Sequence, residues 1–500
     1  MTHDFSESAA RTTVPATLSW WTKVAYGIGD MGAGMTSNLI AFSFLIFLTE
    51  VAGIRPAAAG TVLLISKAWD AINDPLVGVL SDRTQTRWGR RYPWIFLSAL
   101  PFGITFFLMW LVPAGSAGFR FWYYVATSVL FQIFFTTANL PYATLTAELT
   151  QDYDERTDLN SFRLGFSLLG AIGALALGLF VTSIIEQPKL QYAVLGGVCA
   201  IASVLPLLVC VFGTYGQAQR VGAMGPQTSL DEADSDLPFG QQLRIAFSNR
   251  AFLYVVGIYL FAWLALQITA SIIPFYATFW MGLDSYFLPA LLVQGTAIIM
   301  MWPCNLLSRR LGKQGLFFVG IGAWLAVQIG LFFLQPGQTA LLYALCVAAS
   351  FGVATAYVVP WAMLPDVIEL DELQTGKRRE GIFYAFMTLL QKFGLAGGLF
   401  LVGIFLEAAN FLAESDIRIV ARRFILGATL DGTGFSAEQA IQPDSALLAI
   451  RAFMGLVPLT LLCCALVLCY LYPITREVHN EIMLKLTERR QKNCNTDSLF

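Results

Sequence analysis

Two carboxylates, an amide and an ammonium group lie close together within a strongly apolar stretch of the chain. They belong to the run Lys67-Ala-Trp-Asp70-Ala-Ile-Asn73-Asp74-Pro. In a helix, Asp70 and Asp74 share one face because they are four residues apart, and Asn73 lies close to that face. Neighbouring carboxylates repel each other and attract a cation, and hard oxygen ligands suit sodium, lithium or a proton better than a transition metal. The spacing therefore predicts a monovalent cation site.

Two lysines bear on this interpretation. Lys67 precedes Asp70 by three residues and could neutralise it in a static ion pair. Such a pair would not need the second carboxylate of Asp74, and each intramembrane charge costs about 2.5–3.5 kcal/mol on insertion scales, which favours a functional site. Lys392 stands alone midway along another apolar segment, where snorkelling to either end is difficult. We expect Lys392 to act as a counter-charge for the carboxylates when no cation is bound.

The composition shows what kind of protein must position these side chains. Hydrophobic residues make up 56% of the 500 residues and charged residues only 13%, too few to cover a soluble protein of this length. A membrane-spanning helix needs about 20 mostly apolar residues. We predict an all-α membrane protein with twelve transmembrane helices, near 24–48, 58–81, 93–112, 121–145, 161–184, 192–215, 251–277, 286–307, 315–334, 339–364, 381–406 and 446–471.

The basic residues predict the orientation of these spans. With the N-terminus inside, the inner loops and ends hold 22 of the 31 Lys and Arg residues, the outer loops hold seven, and Lys67 and Lys392 fall within helices. This bias places both termini in the cytoplasm. We expect a multi-pass protein of the cell inner (plasma) membrane.

The two halves of the chain resemble each other. Leu140-Pro141 followed by Glu148-Leu149 recurs as Leu364-Pro365 followed by Glu372-Leu373, an offset of 224 residues. This repeat predicts a 6+6 fold with a pseudo-two-fold axis, as in many secondary transporters. The domains are an N-terminal bundle, a polar linker, a C-terminal bundle and a tail that we expect to be mobile; they cover 1–215, 216–250, 251–472 and 473–500. An outer loop at 407–445 suggests no function.

Several classes of function find no support in the sequence. The eight cysteines show no metal or redox spacing, and the two histidines, His3 and His479, stand near the ends. We find no nucleophile–base pair and no phosphate-binding loop, so neither an enzyme nor an ATP-driven pump is indicated. We expect no cofactor and no nucleic-acid partner. A membrane-embedded enzyme and a non-transporting sensor remain the alternatives from other classes.

Charged side chains cluster at the predicted inner ends of the helices. We expect some of them to form ion pairs between the two halves that break when the inner gate opens; a solvated loop surface is the alternative. The candidate gate residues are Asp82, Arg83, Arg90, Asp366, Glu372 and Arg379. Asp30, near the inner end of the first span, fits a structural cap or a residue of the solute pathway equally well.

Four motifs carry a resemblance to a known family. They are Tyr26-Gly-Ile-Gly29, Trp69-Asp-Ala-Ile-Asn-Asp-Pro75, Arg87-Trp-Gly89 with Pro93-Trp94, and Leu364-Pro-Asp366. Over residues 20–406 the chain resembles the glycoside-pentoside-hexuronide:cation symporters of the major facilitator superfamily. The resemblance implies symport coupled to sodium, lithium or a proton across the lipid bilayer, with a glycoside or other small sugar derivative as the solute.

The resemblance also implies roles for individual residues. Asp70, Asn73, Asp74, Thr136 and Lys392 match the cation site, and Arg163 is similar to an arginine beside the sugar pocket. The family's sugar-binding carboxylates fall at Gly34 and Asn139, a tryptophan becomes Ala143, and the aromatic residue of the tenth helix becomes Tyr357. The candidate substrate residues are Asp30, Asn139, Arg163, Tyr357 and Lys392. Because the sugar half of the pattern is altered, an amphipathic solute such as a lysophospholipid is the alternative.

Overall fold

A computed structural model describes the backbone of residues 18–150, 152–220, 239–376, 379–412 and 442–497. Every regular element in these ranges is a helix. Apolar runs of this length form helices in a membrane because a helix satisfies its own backbone hydrogen bonds where no water is available.

The N-terminal half contains spans 1 to 6. Span 1 begins as Trp20–Ile28, is interrupted at Gly29 and Asp30, and continues as Met31–Leu39 and through π-helical turns to Val51. Spans 2 to 6 follow as Pro56–Arg83, Tyr92–Met109, Ala117–Thr144, Tyr153–Ile184 and Pro188–Arg220, with a short helix Thr146–Leu149 after span 4.

The C-terminal half contains spans 7 to 12. A short helix, Phe239–Ser248, precedes span 7, which runs from Arg250 to Phe275 and continues through a π-helical segment to Trp280. Spans 8 and 9 form one element, Phe287–Phe333, which bends at Gly312, where φ is 74°. Spans 10 and 11 are Thr339–Thr375 and Glu380–Ala408, and span 12 is divided into Asp444–Met454 and Leu456–Leu471.

These elements confirm the predicted twelve-span fold. Within the described residues, nine helices are long and apolar enough to cross a membrane, and one of them holds both span 8 and span 9. Span 1 falls outside these nine because it is divided into short pieces. Span 2 falls outside because five charged residues, Lys67, Asp70, Asp74, Asp82 and Arg83, lower its hydropathy, although it is 28 residues long.

The two halves meet along three helix pairs: span 2 with span 11, span 5 with span 8, and span 1 with span 7. We call the end of the molecule where span 6 ends and the tail helix lies the linker face, and the other end the opposite face. Spans 2 and 11 approach most closely near the opposite face. There, a Cβ atom on Gly403 would lie 2.4 Å from the carbonyl oxygen of Pro56, so the two backbones touch.

Three loop and tail expectations can be compared with the structure. The helix of span 6 extends to Arg220, five residues into the predicted linker. The outer loop is described only up to residue 412 and from 442; the rest lies outside the described residues. The tail contains the helix Arg476–Asp497, which buries Ile482 and Leu486 against the C-terminal half; its mobility stays a prediction. These two apolar residues, four apart, form the stripe that the polar composition of the tail concealed.

Candidate functional site

The predicted cation residues lie near the middle of span 2, at the interface between the two halves. Asp70 and Asn73 are buried, with relative exposures of 5% and 6%, whereas the side chain of Asp74 is 34% exposed. Asn73 donates a hydrogen bond to the backbone oxygen of Gln132 on span 4, at 3.3 Å. Their helical spacing turns both carboxylates towards spans 4 and 11.

Lys392 of span 11 connects these two carboxylates. Its Nζ lies 2.5 Å from Oδ2 of Asp74 and 3.0 Å from Oδ2 of Asp70. The hydroxyl of Thr136 on span 4 lies 3.1 Å from Oδ1 of Asp74 and 3.2 Å from Oδ1 of Asp70, so its single proton is shared between them. Four residues from three helices of both halves thus converge on one point.

Lys67 does not take the place that the static-pair alternative assigns to it. Among the described residues it forms no ion pair and donates no hydrogen bond, since Asp70 is held by Lys392. The ammonium group of Lys67 instead lines a cavity between the halves. The interpretation of Lys67 and Asp70 as a static ion pair is therefore wrong for this conformation.

This cavity, of about 210 Å³, contains both lysines and Asp70. Amide side chains from both halves line its polar side, namely Gln132 of span 4, Gln267 of span 7 and Gln391 of span 11, and Trp263 of span 7 forms part of its apolar side. The indole Nε1 of Trp263 and Oε1 of Gln132 are buried without a hydrogen-bond partner among the described residues.

The sequence analysis did not identify these four lining residues. A glutamine or tryptophan within an apolar run carries no charge that would mark it, and its direction depends on the rotation of the helix. Gln391 precedes Lys392 directly, so its position was the one signal available. Buried polar atoms without partners carry a cost of about 1–3 kcal/mol each, which a bound polar solute would offset.

The chemistry of the site suits a small hard cation. Two carboxylates and one hydroxyl supply oxygen atoms. The ammonium group of Lys392 lies between the two carboxylates, where a bound cation would also lie. A monovalent cation that binds these oxygens has to displace Lys392. Displacement removes the ionic contact between spans 2 and 11 and leaves a second ammonium group in the cavity.

Asp30 and Arg163 are not among the residues that line this cavity. Asp30 follows the break in span 1, and its Oδ2 lies 3.6 Å from Nε of Arg163 on span 5. One turn further on, a Cβ atom on Gly34 would stand 1.9 Å from the backbone oxygen of Ser167. Spans 1 and 5 therefore pack backbone to backbone at Gly34, which leaves no room there for a sugar-binding carboxylate.

The other two candidate substrate residues lie near the cavity but do not line it. Asn139 donates from Nδ2 to the backbone oxygen of Phe135 at 3.0 Å, and its Oδ1 is buried with no partner among the described residues. Tyr357 of span 10 packs edge-on against Trp263, with ring centroids 5.6 Å apart. Tyr357 thus supports the wall of the cavity from behind.

The charged residues at the linker face form ion pairs within each half. In the N-terminal half, Arg90 and Arg91 contact Glu148, and Arg91 also contacts Asp82. Arg83 is exposed.

In the C-terminal half, Lys313 contacts Asp366 at 2.6 Å, and Arg379 lies 3.8 Å from Asp371. Glu372 is partly buried at the same end of span 10. His479 of the tail helix contacts Glu369 at 2.8 Å. The predicted pairing between the halves stays a prediction for a conformation in which the linker face closes.

The opposite face, in contrast, is where hydrogen bonds join the halves. Tyr286 of the C-terminal half donates to Ser43 at 2.8 Å and lies 2.9 Å from the hydroxyl of Tyr192. Glu407 accepts from the backbone N–H of Ala57 at 2.9 Å. The molecule is therefore closed at the opposite face.

Comparisons with known proteins agree with this architecture. Residues 25–476 match the family model described as MFS/sugar transport protein. The chain is 41% identical to an uncharacterized symporter of Synechocystis, over 95% of this chain and 98% of that relative. It is 27% identical to sodium-dependent lysophosphatidylcholine symporter 1 of Gallus gallus, over 96% of this chain and 92% of the relative. It is 28% identical to a putative glycoside/cation symporter of Escherichia coli, over 80% and 85%.

A solved structure is similar in fold. It is a bacterial homolog of the human lysosomal transporter Spinster in an inward-facing, unoccupied conformation, and its TM-score is 0.62 at 13% identity, covering 93% of this chain and 98% of that chain. Together with the family match over most of its length, these findings show that the chain belongs to the MFS/sugar transport protein family of membrane transporters.

Proposed function

We propose that this protein is a cation-coupled secondary symporter whose coupling ion binds at Asp70 and Asp74. One observation carries the proposal: Lys392 of one half contacts both carboxylates of the other half. An incoming sodium ion or proton competes with that ammonium group for the same oxygens. Cation binding therefore breaks an ionic contact between the halves, which is how an ion would become linked to their movement.

Thr136 and Asn73 complete the proposed site. The Thr136 hydroxyl stands next to both carboxylates and can turn its oxygen towards a bound sodium or lithium ion. Asn73 fixes the rotation of span 2 against span 4 through its hydrogen bond to Gln132. A proton would require only one of the carboxylates, so the hydroxyl oxygen favours a metal cation over a proton.

Transport then follows alternating access between two rigid halves. We propose that the linker face is the cytoplasmic face of the inner membrane, in accord with the Lys and Arg bias. The hydrogen bonds at the opposite face mark a state closed to the outside. We propose that Asp82, Arg83, Arg90, Asp366, Glu372 and Arg379 pair between the halves in the alternate state, when the linker face closes.

For the solute, we propose a glycoside or another small sugar derivative. The amide side chains of Gln132, Gln267 and Gln391 offer donors and acceptors of the kind that hydroxyl groups need. Trp263 offers a flat apolar surface next to them. The matched relative that is named a putative glycoside/cation symporter supports this solute class.

A second solute class, a lysophospholipid, is favoured by a different observation. The matched relatives named sodium-dependent lysophosphatidylcholine symporters align over about 95% of this chain, whereas the putative glycoside/cation symporter aligns over 80%. The packing at Gly34 also removes one of the two sugar-binding carboxylates that the family resemblance would require.

A binding experiment separates these possibilities. The purified protein is heated with methyl glycosides or with lysophosphatidylcholine, in sodium chloride or in choline chloride, and its unfolding temperature is measured. Ligands that bind only the folded state raise this temperature. We expect sodium alone to stabilise the protein and to strengthen the effect of one solute class. If sodium has no effect and no solute acts in a sodium-dependent manner, sodium is not the coupling ion. If a change of pH from 8 to 6 is equally without effect on solute binding, the proposed function is wrong.

A further inference from the structure

Lys67 is a basic side chain at the middle depth of the membrane, and the cation site does not use it. It stands one turn before Asp70 on span 2, yet it makes no ion pair and no hydrogen bond with the described residues. Its side chain reaches the same cavity as Lys392, with the second half of the molecule opposite. Ionisable groups at this depth are costly and are usually paired with an opposite charge.

The charges around the cavity balance only while it holds no cation. With both lysines protonated, Lys67 and Lys392 carry two positive charges, and the ionised Asp70 and Asp74 carry two negative charges. A monovalent cation at the carboxylates adds one positive charge and releases Lys392 from both of its contacts. The cavity then holds two ammonium groups without an anion between them.

The size and lining of the cavity fit a small anionic group. Its volume of about 210 Å³ is below the roughly 300–1,000 Å³ that is typical for a whole drug-sized ligand. Its apolar walls, from Phe131, Phe135 and Leu395, lower the local dielectric and strengthen charge pairing. Gln267 and Gln391 can donate amide hydrogens to further oxygens of the same group.

We propose that the transported solute carries an anionic group, a carboxylate, sulfonate or phosphate, which binds between Lys67 and Lys392 once a cation occupies the two aspartates. This inference rests on the proposed symport function and adds the charge of the solute to it. A uronic acid and a lysophospholipid headgroup both supply the required chemistry. A neutral sugar supplies none of it.

The proposal has an electrical consequence. One monovalent cation moving with one singly charged anion transfers no net charge across the membrane. The same cation moving with a neutral sugar transfers one positive charge, so its uptake would be driven by an inside-negative potential at about 2.3 kcal/mol per 100 mV.

The test uses matched pairs of probes that differ in the anionic group. Methyl glucoside is compared with methyl glucuronoside, and monoacylglycerol with lysophosphatidic acid. Binding to the purified protein is measured in sodium chloride through tryptophan fluorescence, for the unmodified chain, Lys67→Gln and Lys67→Arg. Lys189→Gln, at an exposed position at the start of span 6, is the control for loss of a lysine charge.

We expect at least one anionic probe to bind at least tenfold more tightly than its neutral partner. Lys67→Gln should weaken this binding at least tenfold, while Lys67→Arg and Lys189→Gln keep it. The pair that responds identifies the source of the anion, a sugar acid or a lipid headgroup.

Equal binding of neutral and anionic partners, failure of both anionic probes to bind, or full anion binding in Lys67→Gln would each overturn the proposal. Sodium-dependent stabilisation of the unmodified chain and of Lys67→Gln is measured in parallel. If that stabilisation is present while the anion preference is absent, the cation site stands and only the inference about the solute fails.

Discussion

The carboxylate of Glu407 on span 11 accepts a hydrogen bond from the backbone N–H of Ala57 at the start of span 2, at 2.9 Å. This contact joins the two halves at the opposite face, and it places a negative charge at a helix N-terminus, where the helix dipole favours it. Hydrogen bonds to charged groups contribute about 1.5–3 kcal/mol. We predict that Glu407→Ala raises the population open at the opposite face by about tenfold, and that Glu407→Gln has a smaller effect.

The separation of the halves provides the measurement. Spin labels at Glu186→Cys and Asp284→Cys, both exposed at the opposite face, report the distance between the halves by electron resonance. In the protein used for labelling, serine replaces Cys463, Cys464 and Cys494. Cys463 and Cys464 are exposed and would otherwise react with the label. An unchanged distance distribution in Glu407→Ala would show that this hydrogen bond does not hold the face closed.

A second prediction concerns the carboxylate that is more accessible. Asp74→Cys removes an oxygen ligand and the shorter of the two contacts to Lys392. Because Asp70 still holds Lys392, we expect the variant to fold and to be produced at normal levels. Sodium-stimulated uptake into proteoliposomes should be abolished. Normal sodium stimulation in this variant would contradict the assignment of the cation site.

A third prediction follows from competition between the lysine and the cation. Lys392→Gln leaves Asp70 and Asp74 side by side without their counter-charge. Removing one partner of a buried pair costs about 3–5 kcal/mol, so the variant should unfold at a lower temperature in choline chloride. Sodium no longer has to displace an ammonium group, and it should therefore stabilise the variant more than it stabilises the unmodified protein. A smaller sodium effect in the variant would argue against competition.

A fourth prediction tests the backbone contact between spans 1 and 5. Gly34→Ala places a methyl group 1.9 Å from the oxygen of Ser167, which forces the two helices apart. Overpacking usually costs about 1–3 kcal/mol, and a clash with backbone cannot be relieved by rotating a side chain. The thermal stability in detergent should fall for Gly34→Ala. The matched control, Gly173→Ala on span 5, has no atoms within 4 Å of its new methyl group and should leave stability unchanged.

A fifth prediction concerns the tail helix. The imidazole of His479 faces Glu369 at 2.8 Å and Asp366 at 3.4 Å, and Lys313 shares Asp366. Loss of the imidazole removes the contact to Glu369, so His479→Ala should loosen the docking of the tail helix on the C-terminal half.

Limited trypsin digestion at Lys485 and Arg489 measures this docking. We expect His479→Ala to be cleaved several times faster than the unmodified protein, while denatured samples of the two are cleaved at the same rate. His479→Asn keeps a polar group, and its cleavage rate should fall between the two. Equal cleavage of His479→Ala and the unmodified protein would exclude His479 as the contact that holds the tail.

Some of the fold and site could be read directly from the sequence. Length and hydropathy determined the twelve spans because every membrane-spanning helix must satisfy its own backbone. The four-residue spacing of Asp70 and Asp74 determined that they share a face, since that depends only on helical geometry. The isolated charge of Lys392 marked it as unusual before its partners were known.

What only the tertiary structure decided depends on how the helices rotate and pack. The spacing of Lys67 allowed an ion pair with Asp70, and only the packing of spans 2 and 11 decides that the ammonium group of Lys392 contacts the carboxylates while that of Lys67 does not. Gln132 and Trp263 became candidate site residues only when spans 4 and 7 turned them towards one cavity. The tail helix depends on packing in the same way, because it is stabilised against span 10, which His479 contacts at a separation of 110 residues in the chain.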